Sequence, residues 1–205
     1  MKNSILFLFL ILFSSHSFSQ KKGKSKSKAK TTTISKTNLA SIDGVIFEMS
    51  KRSTGNQLYL LLGKAKIKDT LLLKTLPQSV SSAPTNCKLK SFVASGVSLV
   101  NITWTENTTT GDSKSKLETA TKVTNEIWDI ATRNQALSNT QTTTNIKEIV
   151  FLDRLKNASE TQEKNRREGA EFVLQPNGEV FLVTKAVTNT LYYSVPEKKF
   201  VFKKR

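Results

Sequence analysis

The stretch SLVNITWTENTTTGDSKSKLETATKVTNEIWDI, Ser98–Ile130, runs on towards ALSNTQTTTNIKEIVFLD, Ala136–Asp153, and decides the fold class of this 205-residue chain. It is rich in Thr, Val and Ile, whose branched Cβ atoms fit a pleated strand better than a helix. Gly111-Asp112 is a turn signal, and Arg133-Asn134-Gln135 is a second hairpin tip. We therefore predict three long antiparallel strands.

The first of these strands has a clear period. Val100, Ile102 and Trp104 alternate with polar residues, which is the period of a strand and predicts that Trp104 faces the core. Lys116–Ile130 is ambiguous, because its apolar residues also match a helical stripe. The four Thr between residues 119 and 132 lower its helix propensity, so we favour strand, with helix as the alternative.

The period changes after Asp153. Ser159 and Gln162 have the spacing of a capping box, and Gly169 is placed as a helix stop. These signals predict a short helix, Glu160–Glu168, which has no apolar face and should therefore lie on the surface.

The remaining chain predicts a meander. Gln175-Pro176-Asn177-Gly178 is a hairpin turn, and Pro196-Glu197 is a second one. Together these patterns predict a mainly β fold: an antiparallel meander, sandwich or open barrel with long central hairpins and one short surface helix.

Residues 1–19 have the pattern of a secretory signal peptide, with Lys2, the apolar run Ile5–Phe13 and small residues before Gln20. The apolar run is too short to cross a bilayer, and no apolar segment of about 20 residues follows, so we expect a chain that does not span the membrane. Residues 20–40 form a Lys-, Ser- and Thr-rich tail that we predict to be disordered, and structure should begin near Ile42. Residues 41–205 are then one β-rich domain.

The formal net charge is +16, and the basic residues gather at the two ends of the chain. Such ends could contact an anionic surface, or they could only keep the chain soluble and protect a sheet edge. The candidate contacts are Lys21, Lys22, Lys24, Lys26, Lys28, Lys30, Lys198, Lys199, Lys203, Lys204 and Arg205.

The residue inventory restricts the chemistry. The single His, His16, lies in the predicted signal peptide, so the exported chain would lack imidazole catalysis and the commonest zinc sites. We predict no catalytic residues, cofactor or metal. The single Cys87 cannot form an internal disulfide, and a buried, inert thiol is favoured over a bridge between chains.

Four aromatic residues could form a stacking platform, although core positions are the more usual role: Trp104, Trp128, Tyr192 and Tyr193. No signature of specific nucleic-acid binding is present. We therefore expect an exported, non-enzymatic binding or structural protein of the bacterial cell envelope, periplasmic, outer-membrane-associated or extracellular, that docks on an anionic partner or surface through its Lys-rich ends. One alternative is an accessory subunit of a larger envelope assembly that docks through the sheet. The other is a hydrolase with two convergent carboxylates.

Overall fold

Residues 35–52, 55–63, 69–77, 83–155 and 157–203 are described by the computed structural model, and within these ranges the chain forms thirteen antiparallel strands and no helix. All of these residues fall within one unit of the chain, Ile34–Arg205. The predicted mainly β fold class is thus confirmed. No helix of the described ranges has the length and apolar character needed to cross a bilayer.

The strands divide into three sheets, and in each sheet every strand pairs with its neighbours in sequence. The first sheet contains β1 (Ser35–Ile42), β2 (Val45–Arg52), β3 (Gly55–Leu62) and β4 (Asp69–Thr75). The central sheet contains β5 (Thr85–Ala94), β6 (Val97–Asp112), β7 (Lys116–Asp129), β8 (Asn134–Phe151) and β9 (Ser159–Glu168). The third sheet contains β10 (Glu171–Leu174), β11 (Val180–Val183), β12 (Thr188–Ser194) and β13 (Lys199–Phe202).

The central sheet is covered on both faces near its β5–β6 turn. Trp104 of β6 is fully buried in a first core, where it packs against Phe47 of the first sheet, with ring centroids 5.8 Å apart. Leu99 of β6 and Ile127 of β7 belong to a second core, which contains Val180 and other residues of the third sheet. Successive residues of a strand point to opposite faces, so the two cores lie on opposite sides of the central sheet.

The prediction of a strand for the ambiguous segment Lys116–Ile130 is confirmed by β7, and the helical alternative is wrong. The strand pairs with β6 from Asp112↔Lys116 to Val100↔Trp128. It also pairs with β8 along its whole length. Two long ladders of hydrogen bonds, together with the β-branched residues, outweigh the helical stripe.

The short helix predicted for Glu160–Glu168 is wrong, because this segment is strand β9. It pairs with β8 through all ten of its residues, from Thr142↔Glu168 to Phe151↔Ser159. A helix here would have had no apolar face to pack, whereas a strand gains a complete ladder with β8. Gly169 ends the strand with φ +80°, and a Cβ at this position would lie 2.2 Å from the carbonyl oxygen of Thr140.

The start of the fold also differs from the prediction. Strand β1 begins at Ser35, seven residues before the expected Ile42, so the last part of the predicted tail belongs to a strand that pairs with β2, with a register shift between Asn38 and Ala40. The predicted signal peptide, residues 1–19, and the tail up to residue 34 lie outside the described residues. Both predicted C-terminal hairpins are confirmed, as β10–β11 and β12–β13.

Candidate functional site

Beyond the two cores, strands β6 to β9 continue as a four-stranded layer. We call residues 107–121 and 143–167 the polar extension; its first row across the sheet is Asn107, Thr121, Thr143 and Arg167. None of its described residues belongs to either core, and only Thr144 among them is buried. From Thr143 to the end of β8 at Phe151 the layer extends by about 27 Å, at about 3.4 Å per residue.

One side of the polar extension, the Thr/Asn face, carries hydroxyl and amide side chains that bond to each other across the strands. Thr121 Oγ1 donates to Asn107 Oδ1 at 3.0 Å. Asn145 Nδ2 donates to Asn165 Oδ1, also at 3.0 Å. The face is polar near the cores, where Arg167 is its charged residue. Further out it carries the ion pair between Lys147 Nζ and Glu163 Oε1, at 2.8 Å.

The other side, the charged face, is built from ion pairs. Lys116 Nζ lies 2.9 Å from Glu118 Oε1, two residues along the same strand, and Arg166 Nε lies 3.1 Å from Glu168 Oε1. The hydrogen bond and charge of Lys116 lower the pKa of Glu118, and those of Glu118 raise the pKa of Lys116. These pairs are exposed, so they define the charge pattern of the surface more than they stabilise the fold.

Both edges of the polar extension lack a neighbouring strand among the described residues. The pairing of β5 with β6 ends at Thr85↔Thr105, and β9 is the last strand of its sheet. The β9 edge carries six charged residues in ten, which is the usual protection against unwanted strand pairing. The β6 edge, residues 107–111, carries none.

A groove of about 360 Å³ lies where the polar extension meets the third sheet. Its lining includes Gln141, Arg167, Glu171, Thr184 and Lys185. Arg167 Nη2 lies 3.1 Å from Glu171 Oε2, so part of its charge is neutralised within the groove. The remaining lining offers hydroxyl, amide and ammonium groups to a polar ligand.

Two buried acids lie in the central sheet, on the face that packs against the first sheet. Glu106 accepts a hydrogen bond from the indole Nε1 of Trp104 at 2.8 Å, and Lys74 Nζ of β4 lies 2.5 Å from its Oε1. Glu126 accepts a hydrogen bond from the indole Nε1 of Trp128 at 2.9 Å. Each carboxylate is thus held by the Trp two residues away on its own strand.

Of the two acids, Glu126 is the one whose charged form is disfavoured by burial. Burial raises its pKa above the usual 4.5, and the bonds from Trp128 and Gln135 and the charge of Lys74 only partly oppose this. A raised pKa in a buried carboxyl is also found in general acids. However, catalysis requires a second group to meet it in a cleft, and the carboxylate of Glu106 is already bonded to Lys74 and Trp104.

The basic residues predicted from the sequence are only partly described. Lys199 pairs with Glu197 at 2.9 Å, and Lys203 pairs with Glu179 at 2.8 Å. Lys198 lies in the β12–β13 turn with φ +52°. Residues outside the described part of the chain include six tail lysines and the last two residues: Lys21, Lys22, Lys24, Lys26, Lys28, Lys30, Lys204 and Arg205.

The four aromatic candidates do not come together. Trp104 and Trp128 belong to the first core, with Trp128 9% exposed. Tyr193 lies in the second core against Phe200, with ring centroids 5.6 Å apart, while Tyr192 is 42% exposed on the opposite side of β12. Three of the four, Trp104, Trp128 and Tyr193, are therefore core residues and do not form a stacking platform.

Cys87 is half-buried against the first core, and burial raises the pKa of its thiol from 9.0 to about 11. A thiol with this pKa is almost entirely protonated at neutral pH. In the described ranges, no three His, Cys, Asp or Glu residues lie together as metal ligands.

The two Trp–Glu pairs were not singled out from the sequence, although a signal for them exists. Trp104-Thr-Glu106 and Glu126-Ile-Trp128 place an acid two residues from a Trp, and residues two apart in a strand share a face. Lys74 could not be found in this way, because its contact with Glu106 spans 32 residues.

No family model, curated protein or solved structure matches this chain. The class of protein is therefore defined by the fold alone: a mainly β protein with three stacked meander sheets, whose central sheet continues as a polar extension.

Proposed function

We propose that the chain is an exported, non-enzymatic binding or structural protein of the bacterial cell envelope, and that it acts as an accessory subunit that docks on a partner protein through the polar extension. The observation that supports this proposal is the extension itself, four strands that leave both cores and keep two faces and two edges accessible within the described chain.

An energetic argument supports a role for this element. Ordering each residue costs about 1–2 kcal/mol of backbone entropy, and folded domains recover that cost chiefly by burying apolar surface. The described residues of the polar extension, 107–121, 143–155 and 157–167, contribute nothing to either core. A layer that adds so little to stability is explained most directly by a partner that binds it.

Two features support a non-enzymatic class. The only imidazole side chain in the sequence is that of His16, which lies in the predicted signal peptide. The buried acids Glu106 and Glu126 are each occupied by bonds to Trp and neighbouring side chains, which is the arrangement of structural carboxylates.

The test compares matched substitutions on the two faces of one strand pair. Thr109 and Thr119 are exposed partners on the Thr/Asn face, and Thr110 is exposed on the charged face. We expect Thr109→Arg with Thr119→Arg to abolish capture of a defined partner from envelope extract, while Thr110→Arg leaves it intact. Equal capture by all variants would refute docking through this face, and thermal unfolding checks that each variant is folded.

A second candidate function is docking on an anionic surface through the Lys-rich ends, and the distribution of charge favours it. The polar extension holds eight basic and six acidic residues, so nearly all of the net +16 lies elsewhere in the chain. Retention on an anionic surface that weakens with salt would support this function. Because Lys36 lies in β1 and pairs with Glu48 at 3.3 Å, the matched variant changes only the six tail lysines to Gln.

A further inference from the structure

The far end of the polar extension exposes a cluster of apolar side chains. Phe151 at the end of β8 and Leu152 and Leu155 in the turn that follows have exposed fractions of 47%, 62% and 79%. Leu155 is the most exposed large hydrophobic side chain of the described chain. We call the described residues of this end, 151–155, 157 and 158, the apolar tip. An apolar end on an otherwise polar layer needs an explanation, because exposed apolar clusters mark interaction sites.

The apolar tip is a formed turn and the most distant point of the layer. Leu152 N donates to Ala158 O at 2.9 Å, and Asn157 N donates to Asp153 Oδ1 at 2.7 Å. The β6–β7 turn reaches the level of Ile149, whose N–H donates to Ser115 O at 2.8 Å. Phe151 lies two residues further along β8, so the tip begins about 7 Å beyond this bond.

Basic side chains lie beside the apolar ones. Arg154 is exposed and directly precedes Leu155, and the exposed Lys114 lies in the β6–β7 turn, which joins β8 through the bond from Ile149 N to Ser115 O at 2.8 Å. The acid within the apolar tip, Asp153, already accepts the bond from Asn157, and Glu160 lies further back along the sheet, opposite Val150. Exposed apolar side chains with basic neighbours match a surface with anionic groups above an apolar layer.

We propose that the apolar tip inserts into the interfacial region of a lipid bilayer that carries anionic headgroups. Size favours lipid over a protein partner: three such side chains present on the order of a few hundred Å², whereas a stable protein interface needs about 800 Å² from each partner. A bilayer can bury a small apolar cluster, because its fluid acyl chains rearrange to contact the inserted side chains on all sides. This inference is independent of the faces of the polar extension, which stay accessible when the tip is inserted.

The test measures binding of the full chain to vesicles of phosphatidylglycerol mixed with phosphatidylcholine, and to vesicles of phosphatidylcholine alone. The six tail lysines are changed to Gln in every protein, so that tail electrostatics do not hide the tip. Leu152→Ser with Leu155→Ser should lower the partition coefficient at least about tenfold. The matched control, Val195→Ser with Phe202→Ser, removes two side chains that are 48% and 63% exposed in the β12–β13 hairpin and should bind as the parent does.

Arg154→Gln separates the charge from the apolar contact. It should weaken binding to the phosphatidylglycerol vesicles and leave the weak binding to phosphatidylcholine unchanged. The proposal is overturned if the parent binds neither kind of vesicle, if the double tip variant binds like the parent, or if both lipids are bound equally. Loss of a captured partner protein by the tip variant, without vesicle binding by the parent, would assign the tip to a protein contact instead.

Discussion

The ion pair between Lys74 of the first sheet and Glu106 of the central sheet joins the two sheets, and Glu106→Gln tests how much it stabilises the fold. The amide of Gln keeps an oxygen for the indole N–H of Trp104, so the substitution removes only the charge that faces Lys74. The side chains of Glu106 and Lys74 are 7% and 28% exposed. The substitution therefore leaves an ammonium group with little water around it.

The magnitude follows from this burial. Breaking a fully buried ion pair costs about 3–5 kcal/mol, and because Lys74 keeps part of its hydration we expect about 2–3 kcal/mol. For a domain of this size each kcal/mol lowers the melting temperature by about 2–4 °C, which gives a decrease of about 4–12 °C. A double-mutant cycle of Glu106→Gln and Lys74→Met should show a coupling energy of about 2 kcal/mol between the two side chains.

The assay is thermal and urea unfolding of the single variants, the double variant and Glu126→Gln. The last is the matched control, because Glu126 is a buried acid on the same face with a Trp partner and no salt bridge within the described ranges. The reasoning fails if Glu106→Gln and Glu126→Gln lower stability equally, or if the coupling energy is below about 0.5 kcal/mol.

Three further predictions follow from the buried groups and the backbone. The raised pKa of Glu126 means that the folded state binds the proton more tightly, so wild-type stability should fall as pH rises above 4.5 through that pKa. Urea titrations should show Glu126→Gln more stable near neutral pH and no difference at low pH; a constant difference would contradict this. Burial raises the pKa of the Cys87 thiol from 9.0 to about 11, so at pH 8 the thiol of the folded protein should react with iodoacetamide about 100-fold more slowly than that of the unfolded chain. Equal rates in the two states would disprove a buried thiol. Gly169→Ala should lower the free energy of unfolding in urea by about 1–3 kcal/mol more than Gly96→Ala does. Both glycines have positive φ, but of the two only Gly169 faces a backbone oxygen. Equal losses of stability would rule out an effect of that contact.

The long strands could be predicted because their signal is local. Alternation around Trp104 and the Thr content of Lys116–Ile130 depend on neighbouring residues, and both led to the observed strands. The two C-terminal hairpins were predicted for the same reason, since their turn residues set the backbone angles directly.

The segment Glu160–Glu168 shows where local signals stop being sufficient. Its capping box and the Gly169 stop are real helix signals, yet β8 pairs with it through ten residue pairs that no local pattern records. The candidate site has the same limit. The polar extension is defined by how far β5 reaches along β6 and by which residues the other sheets cover, and both depend on packing between distant segments.

The sequential order of the strands has a consequence for how the chain folds. Each described strand pairs only with the strands next to it in sequence, so each sheet can grow by adding one hairpin at a time. Loop-closure entropy is then small at every step, and the contact order is low for an all-β protein. We expect the chain to fold faster than Greek-key domains of equal length, with the docking of the three preformed sheets as the slow step.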